Sequence, residues 1–178
     1  MSSSTFTAFA GAVAMLACAC ACGMSTAASS DGAPGRPATA APEPLLDAGA
    51  SDHWAGCDKR EAEGLLFIGC GRTRIVSLMK VPEMTAALFD INARRFFEPF
   101  PGAVAPVSTT MTLTNGVSAR AMESSMKLPD ADGGNVDVVL MAVGISEADG
   151  SGQFIGCSGL SAASCKADVG AIYASARH

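Results

Sequence analysis

Apolar positions fall into two regimes along this chain. From Phe6 to Cys22 they run almost unbroken with no charged residue, ending in the alternation Ala17-Cys18-Ala19-Cys20-Ala21-Cys22. From Leu65 onward they come in short runs bounded by glycine, proline, asparagine or aspartate, which is the rhythm of strands joined by tight turns. Leu65 to Cys70 reads as a buried strand, and Arg72 to Val81 as a second one ended by Pro82. Threonine-rich Val107 to Thr114 reads as another strand. Asn115-Gly116 then marks a hairpin turn in which both positions take positive φ, with Val117 to Lys127 returning. Val136 to Ile145 is a nearly continuous apolar strand, and Phe154 to Cys157 follows the turn at Gly150-Ser151-Gly152. Three segments fit more than one pattern. Ala119-Arg120-Ala121-Met122-Glu123, within the return strand, fits a helix equally well. Met84, Leu88 and Ile91 keep helical spacing, yet Ala87 to Ile91, Asn92 to Arg94 and Phe96 to Glu98 read as strand, turn and strand, and the hairpin is preferred. Val169, Ile172 and Tyr173 place a last strand or a short helix over Asp168 to Ala176. The fold class expected is mainly β: a small sandwich or barrel of about six to eight short antiparallel strands, with room for one short helix.

One pattern occurs twice. Glu61-Ala62-Glu63-Gly64 leads to Phe67-Ile68-Gly69-Cys70, and Glu147-Ala148-Asp149-Gly150 leads to Phe154-Ile155-Gly156-Cys157. It predicts two equivalent turn–strand units that neighbour each other in a sheet. Two copies are too few for a repeat architecture.

The first apolar run is too rich in Ala, Gly and Cys for a permanent membrane span, which needs about 20 strongly apolar residues. Its length and small-residue ending fit a cleaved export signal, although Met1 to Thr5 lacks the usual positive charge. Met15-Leu16-Ala17-Cys18 resembles the lipobox of bacterial secretory lipoproteins, with leucine one place later than usual. The resemblance covers about a tenth of the chain. It implies that Cys18 is acylated and becomes the new N-terminus, with Cys20 and Cys22 as competing sites; a plain signal cut after Ala17, Ala19 or Ala21 is the alternative. Gly23 to Ala50 follows, made mostly of Ala, Ser, Pro, Gly and Thr with almost no large apolar side chains. Such a segment cannot bury enough apolar surface to order itself, so it reads as a disordered tether. The organisation expected is therefore an export segment over residues 1–22, a tether over 23–50 and one globular domain over 51–178.

Export changes the reading of the cysteines. Cys57, Cys70, Cys157 and Cys165 remain in the domain, and an even count in an exported chain reads as two disulfides. Proximity favours Cys57–Cys70 and Cys157–Cys165, while Cys70–Cys157 would tie the two ends of the domain together. A zinc site lacks any Cys-x-x-Cys pair, and His53 and His178 are the only histidines. Trp54, the one tryptophan, reads as a cap at the core edge whose N–H finds a partner at the rim.

Charge excludes more than it suggests. The chain carries 12 Lys and Arg against 17 Asp and Glu, net −5, without a basic block. Nucleic acid is therefore not an expected partner. Phosphate loops and dinucleotide fingerprints are absent, and no cofactor or metal is expected. Asp130 to Asp137 has carboxylates like a calcium loop, but Gly134, Asn135 and Met141 occupy positions where an EF-hand needs other residues, so it reads as a polar turn. Gly156-Cys157-Ser158-Gly159-Leu160 lacks the final glycine of a nucleophile elbow. Glu61 and Glu63, beside Lys59 and Arg60, read as a solvated charged segment. Arg94, Arg95, Phe96 and Phe97 are the candidate binding residues, because arginine and aromatics recur at interface hot spots; set against this, Phe96 or Phe97 pointing into the core is the stronger reading.

The function expected is an exported, lipid-anchored envelope protein with a non-catalytic domain that binds another protein or a cell-wall component, of the inhibitor or immunity type. A secreted hydrolase using a pair of carboxylates, or a purely structural envelope component, are the alternatives.

Overall fold

The structure is a computed structural model that describes Leu45 and residues 51–176; the stretches expected to be export segment and, but for Leu45, tether lie outside the described residues. Seven strands make one antiparallel sheet: β1 (Asp58–Ala62), β2 (Leu65–Gly69), β3 (Ile75–Val81), β4 (Val107–Thr112), β5 (Ser118–Pro129), β6 (Asn135–Ser146) and β7 (Gly152–Gly159). Helix α1 (Ala86–Phe97) and helix α2 (Ala162–Ala176) complete the domain, with one 3-10 turn at Asp52–Trp54. Strand order across the sheet is β1-β2-β3-β7-β6-β5-β4. Two meanders, β1 to β3 and β4 to β7, therefore meet where β3 pairs with β7. The mainly β class holds. The sheet is open, and helices rather than a second sheet cover it.

Alternation along the strands divides the core in two. Leu66, Ile68, Val76, Leu78, Met141, Val143, Ile155 and Cys157 face α2, where Cys165, Val169, Ile172 and Tyr173 complete one cluster. Val138, Leu140, Ala142 and Phe154 face the other way and meet Phe89, Ala93 and Phe97 of α1. β6 and β7 are thus buried on both faces, which explains their nearly continuous apolar runs. Leu45, within the stretch read as tether, is buried in the α2-side cluster, and its N–H donates to Glu61 Oε2 at 2.9 Å. The packed domain therefore includes a residue ahead of Ser51.

The segment preferred as a hairpin over residues 84–100 is helix α1. Thr85 caps it, its hydroxyl accepting from the Leu88 N–H at 3.2 Å. Its buried face is Phe89, Ala93 and Phe97, spaced i, i+4, i+8; of the Met84–Leu88–Ile91 stripe only Met84, ahead of the helix, is buried. Backbone bareness in the sheet makes the seat: a Cβ on Gly144 would lie 2.6 Å from Phe89, and one on Gly156 would lie 2.5 Å from Phe96.

Three hairpins share one turn. Leu113, Asp130 and Glu147 each accept through their carbonyl from a glycine three residues on, Gly116, Gly133 and Gly150, all with positive φ. The next residue then returns a ladder bond, a type I turn with a glycine bulge. Asn115 is not among the positive-φ residues, so the Asn-Gly turn differs from the two-position form expected. That form occurs instead at Glu63-Gly64, with φ of 53° and 75°. The two echoed segments accordingly differ in their turns. Their strands, β2 and β7, flank β3 on either side and do not pair with each other.

Candidate functional site

Three titratable side chains, His53, Arg74 and Asp168, converge where the 3-10 turn, the start of β3 and the middle of α2 meet. α2 is apolar on its inner face except for Asp168, which sits one turn after Cys165 and next to Val169. Its side chain is only 2 % exposed. A buried carboxylate needs partners for both oxygens. Arg74, immediately ahead of β3, donates from Nε to Oδ2 at 2.9 Å and from Nη2 to Oδ1 at 2.6 Å. His53 Nε2 lies 2.6 Å from the same Oδ1. It also lies 2.8 Å from Arg74 Nη2, but one nitrogen cannot donate to the carboxylate and accept from the guanidinium with the same site. The anionic oxygen is the stronger acceptor, so Nε2 carries the ring proton and donates to Asp168.

Trp54 forms the floor. It is fully buried, with the Arg74 guanidinium 5.1 Å above its ring and the His53 ring edge-on at 4.5 Å. Its indole N–H finds no acceptor among the described residues, which departs from the rim partner expected. The cation–π contact with Arg74 engages the ring face and leaves that N–H without an acceptor. The Asp168 bonds, and secondarily its charge, raise the Arg74 pKa against the lowering effect of burial.

Behind this cluster lie Cys157 on β7 and Cys165 on α2, both buried, with sulfurs 2.7 Å apart and unbonded. Contact with Cys165 and burial push the Cys157 thiol far up, and the negative field of Asp168 adds to this. Such a thiol stays protonated and is a poor nucleophile. Cys157 and Ser158 lie within β7, not on a sharp turn. Cys57 and Cys70, by contrast, are bonded, and the bridge joins the start of β1 to the end of β2.

No family model, curated protein or solved structure matches the chain. The functional reading therefore rests on the residues themselves.

Arg94 and Arg95 are exposed at the C-terminal end of α1, whereas Phe97 is buried and Phe96 half-buried against Phe97, Phe100 and Phe154. The four residues are not one surface. Beside the two arginines, α1 exposes Leu88 and Ile91 at 38 % and 46 %. Cys18, Cys20 and Cys22 lie outside the described residues. Among the described residues no group of three or more His, Cys, Asp or Glu side chains is placed to hold a metal, and no helix is long and apolar enough to cross a membrane. Asp168 is the only buried carboxylate among them. Glu61 and Glu63 sit at the opposite edge of the sheet from β4, on β1 and its turn.

Sequence reasoning noted His53, Arg74 and Asp168 only as neighbours of other features. One signal was available: a single acid inside the apolar run from Ala162 to Ala176 must find a cation when that run is buried.

Proposed function

We propose that the chain is an exported, lipid-anchored envelope protein whose domain is a non-catalytic binding module for a partner protein or a cell-wall component. The observation that carries the non-catalytic part is the saturation of Asp168. Arg74 and His53 already occupy both its oxygens, and the Cys157 thiol behind it is held neutral, so the cluster acts as a clasp between turn, sheet and helix. A general acid or base needs a proton-transfer path to a substrate. The export signal, lipobox-like Cys18 and tether support the location. The surface offered to the partner is the outer side of α1, where Leu88 and Ile91 combine with Arg94 and Arg95 as apolar and bidentate anchors.

Two measurements on one preparation test this. Intact mass of the protein from the envelope should show lipid on Cys18, or on Cys20 or Cys22; an unprocessed full-length chain would remove the anchor. A photo-crosslinking residue at position 91, activated in the intact envelope, should give one discrete adduct that is lost on Arg94→Glu. No adduct, or an indiscriminate smear equal to that from exposed Lys127, would count against the module.

A further inference from the structure

The two edges of the sheet are built differently. β1 places Asp58, Lys59, Arg60 and Glu61 along its edge, and such charges discourage pairing with another chain. β4 reads Val107-Ser108-Thr109-Thr110-Met111-Thr112, without charge or proline and exposed except at Met111. Pro106 ends the available ladder on one side. Among the described residues β4 pairs only with β5.

Main-chain phase shows which groups face outward. The Leu113 N–H donates to the Val117 carbonyl at 2.9 Å, so Leu113 faces β5. Alternation then directs the main chains of Met111, Thr109 and Val107 toward β5, and those of Thr112, Thr110 and Ser108 away from it. We infer that β4 pairs antiparallel with β4 of a second copy about a two-fold axis at Thr110. In that register Thr110 opposes its own symmetry mate and Ser108 opposes Thr112 of the second copy. Each such pair exchanges two N–H···O bonds. Paired residues must share a face, and a two-fold axis normal to the sheet satisfies this because opposed numbers have equal parity.

The side chains support the same register. Val107 is 66 % exposed, the most exposed large apolar residue of the domain. In the pairing it comes opposite Leu113 of the second copy, at the closer, non-hydrogen-bonded spacing, while Thr109 comes opposite Met111. Leu113 and Met111 are buried in their own core, so the exposed Val107 of each copy is brought to the rim of the other copy's core, a self-matching contact of the kind an isologous interface uses. A foreign strand would have to reproduce this match by chance. The second copy supplies it automatically.

Sedimentation equilibrium of the purified full chain in density-matched detergent should give the mass of two chains. Thr110→Lys places two like charges across the axis, and should weaken association at least tenfold while leaving far-UV circular dichroism unchanged. Should that variant fail to fold, cysteine substitution decides the matter. Thr110→Cys, next to its own mate, should give a reducible dimer in the intact envelope, and Ser108→Cys, opposite Thr112, should not. A monomeric wild-type chain, a folded Thr110→Lys that remains dimeric, or equal crosslinking from both cysteine positions would overturn the pairing. A different protein captured on β4 with no self-association would overturn it too.

Discussion

Asp168 shows how one residue determines what a site can do. A carboxylate in an apolar helix face survives only with both oxygens bonded, and Arg74 and His53 do this from elsewhere in the chain. Asp168→Asn keeps the shape but removes the charge-assisted bonds, and should cost about 2–3 kcal/mol in urea unfolding. An unchanged midpoint would make the clasp ornamental. The neighbouring thiol gives a pH signature. Cys157 has its pKa raised above the ordinary 9.0 when folded. The folded state therefore holds the proton that the unfolded state releases. That stability is complete below about pH 9 and declines above it by about 1.4 kcal/mol per pH unit. In reductant, the unfolding free energy should fall between pH 9 and 10 more steeply than in Cys157→Ala. If oxidation joins Cys157 to Cys165, as export would favour, the difference disappears, because no thiol remains to ionise.

Among elements, α1 is the most informative. Its seat on the sheet depends on glycines, so Gly156→Ala, with the new methyl 2.5 Å from Phe96, should destabilise the domain by about 1–3 kcal/mol. Thermal unfolding would read this, and no loss would mean that Phe96 rotates away freely. The inner strands were legible because they bury at least one face and most of them border a Gly-containing turn. Val136 to Ile145 and Leu65 to Cys70 each lie within one residue of an observed strand's ends. α1 was not, since Ala93 is small enough to be passed over as an anchor and the remaining apolar residues fit alternation equally well. β1 escaped notice because an edge strand of Asp, Lys, Arg and Glu has no apolar rhythm. The site was hardly legible at all. Its three side chains come together across 94 and 115 residues of sequence, and only the sheet order brings them there.

At the scale of the whole molecule, protection should follow the sheet order. Hydrogen exchange ought to be slowest in the central strands β6 and β7 and fastest in the edges β1 and β4. Uniform exchange across the sheet would contradict a core centred on those strands. If β4 pairs with a second copy, its Ser108, Thr110 and Thr112 amides should gain protection as protein concentration rises. The sheet order also sets an itinerary. Each meander is built from hairpins between consecutive strands, which close quickly. The seam between Ile75–Val81 and Gly152–Ser158 joins segments more than seventy residues apart. A chain that crosses a membrane from its N-terminus delivers β3 long before β7. During that interval Ile75, Val76, Leu78 and Val81 stand on an unpaired, sticky edge, open to wrong neighbours. If the chain is exported as proposed, transit is the moment at which that edge is exposed longest, and a holding chaperone would be expected to act on β3.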